Sequence, residues 1–361
     1  MNHSGRLKVL ALTRYDHDGA SSRVRMIQFS KYLSDGGMAV TWSPLLDAEY
    51  LRRLYSRGSR SIGNLAGAYF RRALRLLDSE RFDVIWLEKE LWPWVPTFLD
   101  PKSIRSKAPY VVDYDDAIFH NYDQHASQLV RRVFGTKIDA VMRHADTVVV
   151  GNKYLADRAA RAGAARIELL PSVVDSDCYV MHQSTTGAGV SIGWIGSPGS
   201  QALLEPLIPV LSDCLGSEDR FVTVGARYES PRIANHQIVP WTLASETSLV
   251  ASFDIGVMPV RDGSFEKGKC GYKLIQYMAA GVPVVASPVG VNTTIVTHGV
   301  TGFLASSPEE WRKALMTLKD NKELRHEMGA AGRLAVARRY CTRVVGPSIV
   351  SILRAAALRA H

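Results

Sequence analysis

Apolar residues in this chain fall into short runs, separated by stretches in which they recur every three or four positions. Leu7–Thr13 (LKVLALT), Val40–Trp42, Phe82–Leu87 (FDVIWL), Tyr110–Asp113 (YVVD), Thr147–Val150 and Arg166–Leu169 read as strands. Runs that are apolar at consecutive positions suit strands covered on both faces, as in a parallel sheet. Met26–Leu33 and Lys153–Ala162 carry helical spacing between them. The pattern stops at Gln183–Gly189 (QSTTGAG), whose small polar residues predict a linker. It then restarts with strands at Val190–Ile195, Phe221–Val224, Gln237–Val239, Ile255–Val260 and Val282–Ala286. Helices begin near Leu203 and cover Leu274–Ala279, Glu309–Leu318 and Lys322–Arg338. Strand–helix alternation on both sides of a linker predicts an α/β chain of two doubly wound domains, residues 1–182 and 190–340.

Ligands of such sheets gather at the carboxyl ends of the strands, which makes the residues there the candidates for chemistry. Ser21 lies in a small-residue turn after the first strand. Arg23 and Arg25 follow, either reaching an anionic ligand or standing in water on a first helical turn. Asp113, Asp115 and Asp116 end the YVVD strand, where carboxylates suit metal ligation, proton transfer or capping of the next helix. In the second half Ser197 and Ser200 follow one strand, Arg227 the next and Trp241 a third. Arg227 and Trp241 would line one crevice, Trp241 either stacking on a base or serving as core.

The densest pattern is Gly268–Ser287 (GKCGYKLIQYMAAGVPVVAS), a loop, a helix and a buried strand. Gly268 and Gly271 are bare backbone, Gly281 stops the helix and Pro283 cannot continue it. A glycine-rich loop feeding a helix aims backbone N–H groups and the positive end of the dipole at one spot, which suits a phosphate. Lys267, Lys269 and Lys273 are expected to gather there. Gly263–Cys270 (GSFEKGKC) nearly spells a nucleotide-binding P-loop, but Cys270 stands where a hydroxyl would ligate magnesium.

Composition narrows the classes. With 361 residues and 46% hydrophobic content the chain can bury two cores, and its four scattered cysteines indicate neither a disulfide framework nor a zinc site. No apolar run is long enough to span a bilayer, and Val9–Leu12 is too short for a signal peptide, so a cytoplasmic location is expected. The net charge of +9 favours an anionic partner. Tyr50–Leu77 carries Arg52, Arg53, Arg57, Arg60, Arg71, Arg72 and Arg75 among aromatic and leucine residues, with no acidic residue. That mixture suits an anionic membrane surface or nucleic acid, or else a helix packed on the sheet with its arginines in water.

The Gly268–Ser287 stretch resembles the donor-binding signature of the retaining group 1 glycosyltransferases of GT-B fold, with its E-A/Y-M-A-x-G helix and P-V-V-A-S strand. The match continues through PVGVNTTIV and HGVTGFLA. The resemblance implies two Rossmann-like domains facing a cleft, with residues 341–361 crossing back onto the first. It implies a nucleotide-diphosphate sugar as co-substrate, no cofactor, no metal, and a cell-envelope or exopolysaccharide glycan acceptor, lipid-linked, at the inner membrane face. Nucleic acid is not an expected partner.

By the same resemblance Asp115 and Asp116 contact the transferred sugar and the acceptor hydroxyl; where the family carries basic residues for the diphosphate this chain has only Ser197 and Ser200, so Lys273 and its neighbouring lysines are expected to take over. Lys269, Gly268, Gly271, Ser197, Arg227, Trp241, Ser21 and Arg23 complete the donor set. Gln276 and Gly268 occupy the places of two family glutamates, Gln276 that of the ribose ligand, so that Lys269 or Glu266 would take up the sugar contact. Leu170–Asp175 (LPSVVD) resembles the family's I-P-N-G-V-D marker, with Ser172 and Val173 replacing Asn-Gly. The alternatives are a GT-B-fold phosphorylase or epimerase, and a catalytically inactive nucleotide-sugar-binding protein.

Overall fold

The structure is a computed structural model that describes residues 5–47, 50, 62–96, 108–182 and 189–359. The chain divides into two compact units. The first comprises residues 1–172, 268–270 and 342–361, and the second residues 173–267 and 271–341.

The first unit is built on a six-stranded parallel sheet of order β2-β1-β3-β4-β5-β6. Its strands are β1 Leu7–Tyr15, β2 Met38–Leu46, β3 Val84–Glu88, β4 Tyr110–Tyr114, β5 Thr147–Val150 and β6 Ile167–Leu169. The apolar centres of β1, β3, β4 and β5 are fully buried, because helices cover both faces and leave no polar side for alternation. The strand order reverses between β1 and β3, which makes their carboxyl ends the switch point. The predicted helix Met26–Leu33 is instead three short pieces, Ala20–Arg25, Ile27–Phe29 and Ser30–Asp35.

The closing helix Thr342–Arg359 packs on this unit. A Cβ on Gly346 would stand 2.5 Å from the Tyr32 ring, so the glycine is what permits the close approach. Arg354 donates to the Gly36 carbonyl at 2.6 Å, and Arg359 to Asp146 at 3.0 Å.

The second unit repeats the plan with strands β7 Ser191–Ile195, β8 Arg220–Val224, β9 His236–Val239, β10 Ile255–Met258, β11 Val284–Ala286 and β12 Gly302–Leu304. They run parallel in the order β12-β11-β10-β7-β8-β9, with the switch point between β7 and β10. This is the Rossmann order. The unit begins at Val173, upstream of the predicted linker, most of which (183–188) lies outside the described residues. Side-chain and ladder bonds explain the shift. Val174 donates to the Tyr340 carbonyl at 3.1 Å, Tyr179 accepts from Gln276 at 3.2 Å, and His182 pairs with Asp254 at 3.2 Å.

Candidate functional site

In the second unit the site grows from the end of β7. Gly196 follows the strand, and a Cβ there would lie 2.5 Å from both Lys273 Nζ and the Trp194 ring. Any larger residue would displace the ammonium, which sits 4.1 Å from the centroid of that buried ring, a cation–π contact. Lys273 reaches this point from the first turn of the helix Tyr272–Ala279, which Gly271 caps in the left-handed region at φ 64°. The next strand contributes Gly225, at φ 80°, whose missing Cβ leaves room for the Gly196 carbonyl and for Trp241. Trp241 is half-buried and donates its indole N–H to Glu246 at 2.7 Å. Ser197 and Arg227 are exposed at the same strand ends, the Arg227 backbone held by Gln201 at 2.8 Å. Tyr277 fixes the switch point from below, its hydroxyl accepting from the Ile195 amide at 3.0 Å and donating to the Val257 carbonyl at 3.4 Å.

Gln276 and the three lysines of this stretch stand as follows. Gln276 is only 3% exposed and its amide donates to the Tyr179 hydroxyl, so it is committed to the core and not presented beside Lys273. The three lysines have separate surroundings within their own units. Lys267 pairs with Asp262 at 3.1 Å, Lys273 lies over Trp194, and Lys269 belongs to the first unit.

The first unit concentrates charge at its switch point. β3 ends in Glu88, Lys89 and Glu90, all buried. Glu88 accepts from Ser21 and Ser22 and from the Arg14 amide, the last at 2.7 Å. Glu90 accepts from Tyr122 at 2.9 Å and pairs with buried Lys137 at 2.8 Å. Between them Lys89 adopts φ 63°, the left-handed region that a lysine rarely enters. Its ammonium stands 2.8 Å from Asp115, 3.6 Å from Asp116 and 3.2 Å from the Ser21 hydroxyl.

The electrostatics divide the aspartates. Burial would raise Asp115, but Lys89 outweighs it and holds that carboxyl below its ordinary range. Asp116 is pushed up to about 6 by burial and by the neighbouring Asp115 charge, with Lys89 and Lys269 pulling the other way. Neither caps the helix His120–Asp123, whose N-cap is Phe119 with no side-chain bond, so the capping alternative falls. Asp113 is likewise pushed up to about 6 by burial, against the pull of Arg25. It is buried against Arg25 in a two-point pair at 2.7 and 3.1 Å.

That pair overturns the solvated reading of Arg25, which is buried and also donates to the Leu170 carbonyl at 3.0 Å. Arg23 is half-buried on the helix Ala20–Arg25. Arg72 is likewise buried, donating to the carbonyls of Thr13 at 2.6 Å and Ser43 at 3.0 Å, whereas Arg71 and Arg75 are exposed. Residues 51–61 of that arginine-rich segment, with Arg52, Arg53, Arg57 and Arg60, lie outside the described residues.

Gly268 packs on Ala117, where a Cβ would come within 2.4 Å, and the carbonyls of Gly268 and Lys269 accept from Asn152 at 2.8 and 3.0 Å. Inside GSFEKGKC a helical turn, Ser264–Lys267, replaces the open loop that a P-loop requires, so the NTPase reading fails. Among the described residues no group of His, Cys, Asp and Glu is arranged to hold a metal ion. No described helix is long and apolar enough to cross a membrane.

Reasoning from sequence missed Glu88, Lys89 and Glu90. Their signal was present: three consecutive charged residues immediately after an apolar strand, at the end where open sheets bind ligands.

Comparison with known proteins agrees with this architecture. Residues 8–172 match the family of the glycosyl transferase 4-like domain, and residues 191–321 that of glycosyl transferases group 1. A D-inositol 3-phosphate glycosyltransferase of Nocardioides sp. is 30% identical over 149 residues, 40% of this chain and 30% of that protein. The match thus spans about a third of that relative's length. In structure, sucrose-phosphate synthase of Thermosynechococcus elongatus superposes with a TM-score of 0.73 at 13% identity, covering 97% of this chain and 98% of that one. HepE of Anabaena, solved in complex with UDP and glucose, gives 0.70 at 17% identity, covering 97% of this chain and 100% of its own.

Proposed function

The chain belongs to the group 1 glycosyltransferase family, and we propose that it transfers a sugar from a nucleotide-diphosphate sugar to a glycan acceptor, with retention of configuration. The observation that carries this reading is Lys273, whose ammonium lies beside Gly196 at the switch point of the second unit. As the sugar–phosphate bond breaks, charge develops on the nucleoside diphosphate, and a preplaced cation stabilises that charge more than it stabilises the bound donor. Ser197, Arg227, Gly271 and Trp241 complete the donor surface of that unit. In the first unit Asp116, the more exposed of the aspartate pair, orients or deprotonates the acceptor hydroxyl. Uridine is the first base to test, since HepE was solved with UDP.

A lipid-linked cell-envelope or exopolysaccharide precursor is the acceptor class we favour, met at the inner face of the cytoplasmic membrane. The support is the helix Ile62–Leu77, where Phe70, Leu74 and Leu77 are exposed on one stripe and Arg71 and Arg75 beside it. The reaction is proposed to need no metal, with lysine in its place.

The test is a panel of nucleoside-diphosphate sugars, beginning with UDP-glucose, scored by nucleoside diphosphate released with and without EDTA. Release in EDTA is the expected result. Full loss in EDTA that magnesium or manganese restores would defeat the metal-free mechanism. A second reading, a donor-binding protein without turnover, is favoured by the burial of Gln276 where the family places a ribose-binding glutamate. Calorimetric binding of a donor that the protein never cleaves would establish it.

A further inference from the structure

The mechanism uses Asp116 but leaves unexplained why a lysine occupies the strained backbone position at the end of β3. We propose that Lys89 is the positioning residue of the acceptor end, its ammonium holding Asp115 inward so that Asp116 is left as the outward-facing member of the pair. This rests on the reading of Asp116 as the group that meets the acceptor hydroxyl.

Geometry supports the assignment. The Lys89 amide donates to the Asp113 carbonyl at 3.0 Å, continuing the β3–β4 ladder, and the left-handed φ then turns the chain so that three successive charged side chains remain buried. Glu88 takes the Ser21, Ser22 and Arg14 side, and Glu90 takes Tyr122 and Lys137. Of the three, Lys89 is directed at Asp115 and Asp116, which follow β4, and ties them to Ser21 on the helix Ala20–Arg25. A non-glycine residue persists in this backbone region only where its surroundings hold it there, and such residues gather at functional sites. The two carboxylates are unequal: the Asp115 side chain is 14% exposed and that of Asp116 35%. The ammonium is nearer the buried one.

Among the described residues the following charges act on the pair, with the Asp113 carboxyl interacting with Asp115 from the end of β4. Lys89 comes from β3, with Glu88 and Arg14 acting on it in turn. Arg25 acts on Asp115 from the helix after β1, and Lys269 acts on Asp116 from the Gly268–Cys270 segment. The Cys270 thiol, pushed up by burial, remains neutral. Lys89 is the cation that touches both carboxylates, so its removal acts on both.

The sign follows directly. An opposite charge within about 4–6 Å lowers a carboxyl pKa by about 1–3 units, so deleting Lys89 should raise proton uptake by the coupled pair, which is read at the more exposed Asp116. We would follow the Asp116 side-chain carboxyl carbon by NMR pH titration of the full chain. Alongside it we would measure the pH profile of UDP release from UDP-glucose. Lys89→Met should move the Asp116 midpoint, and the acid limb of kcat/KM, upward by about one pH unit or more. Lys89→Arg keeps the charge but not the shape. It should leave the midpoint in place and lower kcat about tenfold, because a guanidinium cannot occupy an ammonium's position. A midpoint unmoved in Lys89→Met, or wild-type kcat in Lys89→Arg, overturns the proposal; should Lys89→Met not fold, Lys89→Arg still decides. Asp116→Asn separates the two ideas. If it transfers sugar normally while the Asp116 midpoint still shifts in Lys89→Met, the positioning stands and the role of Asp116 as base is lost.

Discussion

At the switch point of the first sheet charge is buried and answered by charge from the chain itself, as in Arg25 with Asp113, Lys89 with Asp115 and Lys137 with Glu90. At the switch point of the second sheet glycines clear a space and a lysine stands over an aromatic ring. The first arrangement fixes side chains before any ligand arrives. The second keeps a cation at the strand ends, where a phosphate would bind it. The proposed transfer would use both arrangements, one to orient a neutral hydroxyl and the other to absorb developing negative charge.

The largest effect expected from this contrast is on stability. Arg25→Ala leaves Asp113 buried without its partner and should cost about 3–5 kcal/mol in urea unfolding. Replacing both members by apolar residues should recover most of that loss. Near-normal stability of the single variant would break the claim that the first unit's charges act as fixed pairs.

Lys273→Ala should show the opposite profile, with turnover of the donor falling about 100-fold while the urea midpoint barely moves. A loss confined to stability would make Lys273 a structural lysine like those of the first unit.

Charge on the outer surface sharpens the comparison further. Replacing Arg71 and Arg75 by glutamine should weaken binding to anionic vesicles by about 1 kcal/mol per residue, in a co-sedimentation assay at low salt. Arg72→Gln should leave vesicle binding alone and lower stability, since that guanidinium serves two buried carbonyls. Equal behaviour of all three would remove the membrane proposal.

The smallest effect concerns Gln276. Gln276→Ala should destabilise by about 1 kcal/mol, the worth of one neutral hydrogen bond, and Tyr179→Phe by a similar amount. The double variant should lose less than the sum, because both remove the same bond. A change in donor affinity without loss of stability would return Gln276 to the ribose site.

The architecture was legible because parallel strands covered on both faces write themselves as apolar runs. Thr147–Val150 and the helix Lys153–Ala162 fall where the pattern places them. Backbone turns that favour glycine were legible for the same local reason, as at Gly271, whereas Lys89 in the same region was not. The exception among strands, β12 at Gly302–Leu304, is too short and too interrupted by turn residues to carry a period.

What the sequence by itself determined, then, was the alternation of elements, the points where strands end and the family signature on Gly268–Ser287. Only the tertiary structure decided which of the charges at those strand ends meet. Arg25 and Asp113 are 88 positions apart, and Ser21 and Lys89 are 68 apart. Electrostatic pairing depends on distance in space, which sheet order sets and local periodicity does not encode. A sequence read as strand, turn and helix therefore located the ends of β3 and β4, while the folded sheet made Arg25 a buried partner, Gln276 a core amide and Lys89 the residue between the two aspartates.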